Sequence, residues 1–107
     1  MIKAYVYTNA NSDVYGFEIY EHGDKIVCAA VSALSLNAVN SIERFCDTKF
    51  ICNWDEKGGF LSLEVPALKA NEKIKDVALL LNSFFLGILG IEENYPKDIT
   101  IYRERGK

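Results

Sequence analysis

Polar and apolar residues alternate from Ile2 to Thr8, with Ile2, Ala4 and Val6 on one side and Lys3, Tyr5 and Tyr7 on the other. This period of two is that of a strand with one face on a core. The turn-forming cluster Asn9-Ala10-Asn11-Ser12-Asp13 follows and the alternation resumes from Val14 to Tyr20, so the spacing predicts a hairpin. After Gly23-Asp24 the period changes. Val27, Val31, Leu34, Ala38, Ile42 and Phe45 recur at steps of three and four, which predicts a helix from about Lys25 to Phe45. A second alternating run places Cys46, Thr48, Phe50, Cys52 and Trp54 on an inward face, opposite Asp47, Lys49, Ile51, Asn53 and Asp55. Asp55-Glu56-Lys57-Gly58-Gly59 turns the chain, and Phe60 to Val65 returns as the second arm of another hairpin, closed by Pro66. Asn71 precedes a second helical stretch, striped by Ile74, Val77, Leu81, Phe84 and Ile88 and widened by Ala78, Phe85 and Leu89. A helix apolar over that much of its circumference needs burial on more than one side, so a partner subunit is expected. Tyr95-Pro96 ends it, and Asp98 to Glu104 forms a last strand with Ile99 and Ile101 inward.

The order β-β-α-β-β-α-β predicts a single α+β domain over residues 1–107, with two helices packed on one mixed five-stranded sheet. The two ββα halves do not match residue by residue, so no internal repeat is inferred. A hydrophobic fraction of 50% and an aromatic fraction of 12% supply the apolar surface that a disordered chain lacks. The formal charge is −3, and acids and bases mix along the chain without a basic stripe, which argues against direct nucleic-acid binding. Arg103-Glu104-Arg105-Gly106-Lys107 is expected to be a solvated tail. The longest apolar run, Val77 to Ile91, is interrupted by Asn82, Ser83, Gly87 and Gly90 and falls short of the roughly 20 residues of a membrane span. No membrane association is expected. Three cysteines, an odd number, and no basic-plus-apolar leader before Ile2 point to free thiols in a cytoplasmic setting.

Candidate chemistry centres on His22, the one histidine, and on Cys28, six positions later. With Asp24 as N-cap, Cys28 falls in the first turn of the helix, where unpaired amides and the helix dipole favour thiolate over thiol. The short connection has slack enough to bring imidazole and sulfur together, the minimum apparatus for acyl transfer. Ser32, one turn beyond Cys28, lies on the same helical face and could hydrogen-bond the sulfur or a substrate. Backbone amides around Cys28 are candidates for an oxyanion hole. Asp24 could orient His22 or simply cap the helix. The bland reading stands beside this one: a histidine in a polar turn is usually idle, and a cysteine in an alanine-rich helix is usually a small buried apolar residue. The residues alone leave both open. Cys46 and Cys52 look structural, and with no C-x-x-C pair or second histidine no metal site is expected. Gly58-Gly59 joins two strands, which is hairpin chemistry, and no phosphate-cradling loop or other cofactor signature occurs.

Gly16-Phe17-Glu18-Ile19, then His22, then Gly23-Asp24-Lys25-Ile26-Val27-Cys28-Ala29-Ala30-Val31-Ser32-Ala33-Leu34 resembles the ribosomal-processing cysteine protease (Prp, or YsxB-like) family. Its members carry a Gly-His-Ala element at the end of the second strand and an Asp-Ile-Val-Cys-Ala-Ala-Val-Ser-like element opening the first helix. The element order along the chain and the Tyr95-Pro96 before the last strand are also similar. The resemblance implies a cytoplasmic homodimeric endopeptidase without cofactor that removes a short N-terminal extension from a large-subunit ribosomal protein, cutting after an aromatic residue. It maps the nucleophile onto Cys28, the base onto His22 and the helix-opening serine onto Ser32. Two departures accompany it. The connection between His22 and Cys28 is shorter than the family's glycine-rich loop, and Lys25 stands where the family has Asp, with Asp24 one position earlier. His22 is flanked by Glu21 and Gly23, where the family has Gly and Ala. The competing expectation is a non-catalytic module that binds a ribosomal tail or assembly partner through a degenerate site.

Overall fold

A computed structural model describes residues 1–105. The first hairpin is β1 (Ile2–Thr8) and β2 (Val14–Tyr20), antiparallel with a bulge at Tyr7/Thr8. Its turn is organised by Asn9, which is buried and bonded through both ends of its side-chain amide. Nδ2 donates to the Leu68 carbonyl at 2.8 Å, while Oδ1 accepts from the amides of Asn11 and Asp13 at 2.9 and 3.0 Å. Helix α1 (Lys25–Phe45) has the expected bounds. The second hairpin, β3 (Ile51–Trp54) and β4 (Phe60–Glu64), turns through Gly58 and Gly59 at φ +82° and +93°, values open to glycine and strained for other residues. A short helix α2 (Pro66–Lys69), the long helix α3 (Lys75–Asn94) and β5 (Ile99–Arg105) complete the chain.

The sheet order is β3-β4-β2-β1-β5, antiparallel throughout except for the parallel β1–β5 pair. Two long helices on a mixed five-stranded sheet is the expected architecture, with α2 as an addition: Pro66 opens a helical turn and does not merely close the hairpin. The core lies between the sheet's inner face (Ile2, Ala4, Val6, Phe17, Ile19, Leu63, Ile99) and the buried stripes of α1 (Val27, Val31, Ala38, Ile42) and α3 (Val77, Leu81, Phe84, Ile88). Phe17 stacks on Phe84 with ring centroids 4.3 Å apart and locks β2 to α3. The helices approach each other where Gly87 meets Leu34; a Cβ on that glycine would stand 2.9 Å from Leu34 Cδ1. By length and mean hydropathy α1 could cross a membrane, but its stripe is packed into this core, as in the core helix of a globular domain.

Several sequence expectations need correction. β3 holds four residues and begins at Ile51, because Cys46–Phe50 has no strand to pair with. Trp54, assigned inward, is 66% exposed, and Phe45, the last member of the α1 stripe, is 77% exposed. Asn71 precedes α3 as expected, with a role outside the helix. It takes φ +66° and accepts from the Ala10 amide at 2.8 Å, pinning the β1–β2 turn, and α3 starts four residues later without a side-chain cap. Arg103–Arg105 continue β5 and are not tail; Gly106 and Lys107 lie outside the described residues.

Candidate active site

Asp24 resolves into one of its two expected roles. Its carboxylate accepts from the amides of Ile26 and Val27 at 3.0 and 3.2 Å, while its carbonyl takes the Cys28 amide at 2.9 Å. It is the N-cap of α1, and among the described residues no hydrogen bond or ion pair joins it to the imidazole. This also consumes the amides proposed for an oxyanion hole: those of Ile26, Val27 and Cys28 are all bonded within the cap. The Gly23 amide is the one directed at the sulfur.

Cys28 is half-buried against the core. Its thiol is pushed up, first by burial and next by the neighbouring Glu21 carboxylate; the Gly23 amide pulls the other way and Asp24 adds a smaller push upward. The helix start therefore does not favour thiolate here, contrary to expectation. The physical reason is local. The amides that would have stabilised the anion are satisfied by a carboxylate that brings its own negative charge, and a second carboxylate stands nearby.

His22 is exposed in the short connection between β2 and α1. Its Cε1 lies 3.4 Å from the position a Cβ would take on Gly59, so the imidazole rests on the β3–β4 turn, where the Glu21 amide also bonds the Gly59 carbonyl at 2.9 Å. Among the described residues no hydrogen bond joins this ring to the Cys28 sulfur. Ser32 does not reach the sulfur either: its Oγ lies 2.7 and 2.8 Å from the two carboxylate oxygens of Glu21. The fold brings His22, Cys28, Asp24 and Ser32 to one end of α1, with Glu21 as an unforeseen fifth member.

From this end a groove of about 680 Å³ runs between α1 and the β3–β4 hairpin. Ser32, Leu36, Val39, Asn40 and Glu43 form its helical wall, and Phe50, Cys52, Trp54, Phe60 and Leu61 the other, with Glu21, Asp55, Gly58 and Gly59 at the hairpin-turn end. His22 and Cys28 are not among its lining residues, but their neighbours Glu21, Ser32 and Gly59 are. Leu36 and Trp54, 49% and 66% exposed, offer apolar surface from both walls. Three carboxylates and no basic side chain line it. The volume and the mixed apolar and polar lining suit an extended peptide segment with large side chains. Among the described residues no three of His, Cys, Asp and Glu converge as metal ligands would.

Comparison with known proteins decides the lineage. The family model for cysteine protease Prp matches residues 1–100. The chain belongs to the Prp family. The ribosomal processing cysteine protease Prp of Bacillus subtilis is 25% identical to it over 107 aligned residues, covering 94% of this chain and 96% of its own length. The Prp of Staphylococcus aureus strain Mu50 is 27% identical over 81 residues, covering 76% and 73%. Among solved structures, the SMU.848 protein of Streptococcus mutans superposes with a TM-score of 0.84 at 31% identity, covering 98% of this chain and 95% of its own. S. aureus Prp, crystallised with a covalently linked product peptide, gives a TM-score of 0.84 at 24% identity over 96% and 99% of the two chains, which establishes the shared fold. Prp membership places the chain among cysteine proteases, and the α+β architecture described above is the Prp fold.

Sequence reasoning passed over the groove itself. Leu36 lies outside the buried stripe of α1, and an exposed leucine on an otherwise polar helix face was the available signal. Glu21 stood out as a departure from the Prp pattern but carried no role.

Proposed function

We propose that the chain is a cysteine endopeptidase that removes a short N-terminal extension from a large-subunit ribosomal protein, in the cytoplasm, with Cys28 as nucleophile and His22 as general base and acid. The observation that carries this reading is the position of Cys28 and His22 beside the inner end of a peptide-sized groove in a Prp chain. His22 takes the thiol proton, the sulfur attacks the scissile carbonyl, the carbon–nitrogen bond breaks as the imidazolium returns the proton to the leaving amine, and water then hydrolyses the thioester. The resting thiol is neutral at pH 7, so the proton transfer belongs to the peptide-bound form, in which an entering backbone turns the exposed imidazole from Gly59 toward the sulfur. Catalytic hydrogen bonds that tighten only once substrate is bound are common. Aromatic side chains near the cut, which the resemblance implies, fit between Leu36 and Trp54.

A specific observation favours a second reading. The raised thiol and the unjoined imidazole also suit a degenerate site that binds the ribosomal tail without cutting it. Incubating the precursor with the wild type, Cys28→Ala and His22→Ala separates the two by mass spectrometry of the products. Cleavage by the wild type, with losses of at least about 10³-fold in both variants, is the expected result. Equal product from all three ends the protease reading, and binding without product establishes the module.

A further inference from the structure

We propose that Glu21 is a specificity-determining residue, a receptor at the inner end of the groove for a lysine or arginine side chain of the bound peptide. This rests on the groove's being the peptide site. The carboxylate is held in place from one side, by Ser32 Oγ at 2.7 and 2.8 Å. A hydroxyl donates a single proton, whereas an ionised carboxylate accepts at about four positions, so most of its capacity faces the groove unfilled. The side chain is half-buried, and an arriving ammonium or guanidinium meets it with part of the water already displaced.

Among the described residues no ion pair engages it. Glu43 and Asp55 line the same groove, no basic side chain does, and the one ion pair among the described residues, Lys69–Glu64, lies elsewhere. A cleft of one sign attracts peptides of the other and repels its own. Glu21 precedes His22 in the chain, and Ser32 stands one turn beyond Cys28, so a cation seated on Glu21 lies next to the bond to be cut. The same carboxylate is the main charge pushing the Cys28 thiol up, and a substrate cation would cancel that push where the sulfur must ionise. The Prp-like element has glycine at this position, so the receptor is a property of this chain.

The test uses a fluorogenic decapeptide from the ribosomal extension, carrying lysine, norleucine or glutamate in turn at each of the three positions on either side of the cut. At one position the wild type should show kcat/KM about tenfold higher for lysine than for norleucine, with glutamate lower again, the size of a charge-assisted hydrogen bond at a partly exposed site. Glu21→Gln should level lysine and norleucine there, and Glu21→Lys should reverse the order in favour of glutamate. Equal rates for the three peptides in the wild type, or a lysine preference that survives Glu21→Gln, overturns the proposal. A uniform fall in kcat with the preference intact also overturns it and makes Glu21 an orienter of His22. Fluorescence anisotropy with Cys28→Ala reads the same preference without cleavage, so loss of the protease reading leaves this question answerable. A Kd about tenfold tighter for the lysine peptide, abolished in the Cys28→Ala, Glu21→Gln double variant, supports the receptor, and equal Kd values or no binding sink it.

Discussion

At the scale of single residues, the site is governed by where two carboxylates stand relative to one sulfur. Asp24 satisfies the amides that open α1 and Glu21 occupies the approach, so a position that looks activating from its place in the helix carries a thiol pushed up by burial and by negative charge. Alkylation of Cys28 by iodoacetamide in the peptide-free protein should therefore rise with an inflection above the ordinary thiol value of about 8.5. The sign for a substitution follows from charge: Asp24→Asn keeps a capping oxygen but removes an anion, so the inflection should move down while thermal stability holds nearly constant. Asp24→Ala should cost about 1 kcal/mol in urea unfolding through loss of the cap. An unchanged alkylation profile in Asp24→Asn would assign the raised thiol to burial and Glu21, without a part for Asp24. The residues of this site were largely legible: a lone histidine, a helix-start cysteine and a capping Asp are local signals. What sequence could not carry was the rotation of each side chain, which set Ser32 on Glu21 and the imidazole on a turn nearly forty residues away.

At the scale of elements, strand pairing tolerates no side chain at Gly16. A Cβ there would stand 2.5 Å from the Leu63 carbonyl oxygen of β4, a backbone atom with no freedom to retreat. Gly87 is less demanding, since its neighbour at 2.9 Å is the far end of Leu34. Gly16→Ala should destabilise by about 1–3 kcal/mol and Gly87→Ala by distinctly less, with chemical denaturation giving the order; equal costs would contradict the packing described. Elements with strong periodicity and local punctuation were readable, and α1 kept its expected bounds because Asp24 marks its start and its apolar stripe persists to Ile42. β3 was overextended because alternation marks any extended chain, whereas a strand also needs a partner. Beyond Glu64 its partner β4 gives way to Val65, whose amide bonds Tyr15, and then to Pro66, so Phe50 finds no ladder. Asn71 precedes α3 as expected, but its side chain serves the distant β1–β2 turn.

At the scale of the whole molecule, the sheet buries one face under two helices and leaves the outer side of α3 uncovered. Leu79 and Leu86, two turns apart, are 70% and 73% exposed. A second copy of the chain, the homodimer that the Prp resemblance implies, would cover them. Leu79→Glu combined with Leu86→Glu should convert a dimer to a monomer in sedimentation velocity, with the fold retained by circular dichroism. A wild type that sediments as a monomer at tens of micromolar removes the dimer from the account. This level was the least legible in the sequence, since periodicity reports that a face is apolar but not what lies on it.

The imidazole and the far wall of the groove share one support, the glycine turn of the second hairpin. Any change that swings this arm outward to admit bulkier cargo also shifts the base that must act on it. Diet and pace are thus mechanically geared together, and variants selected for one should be screened for the other.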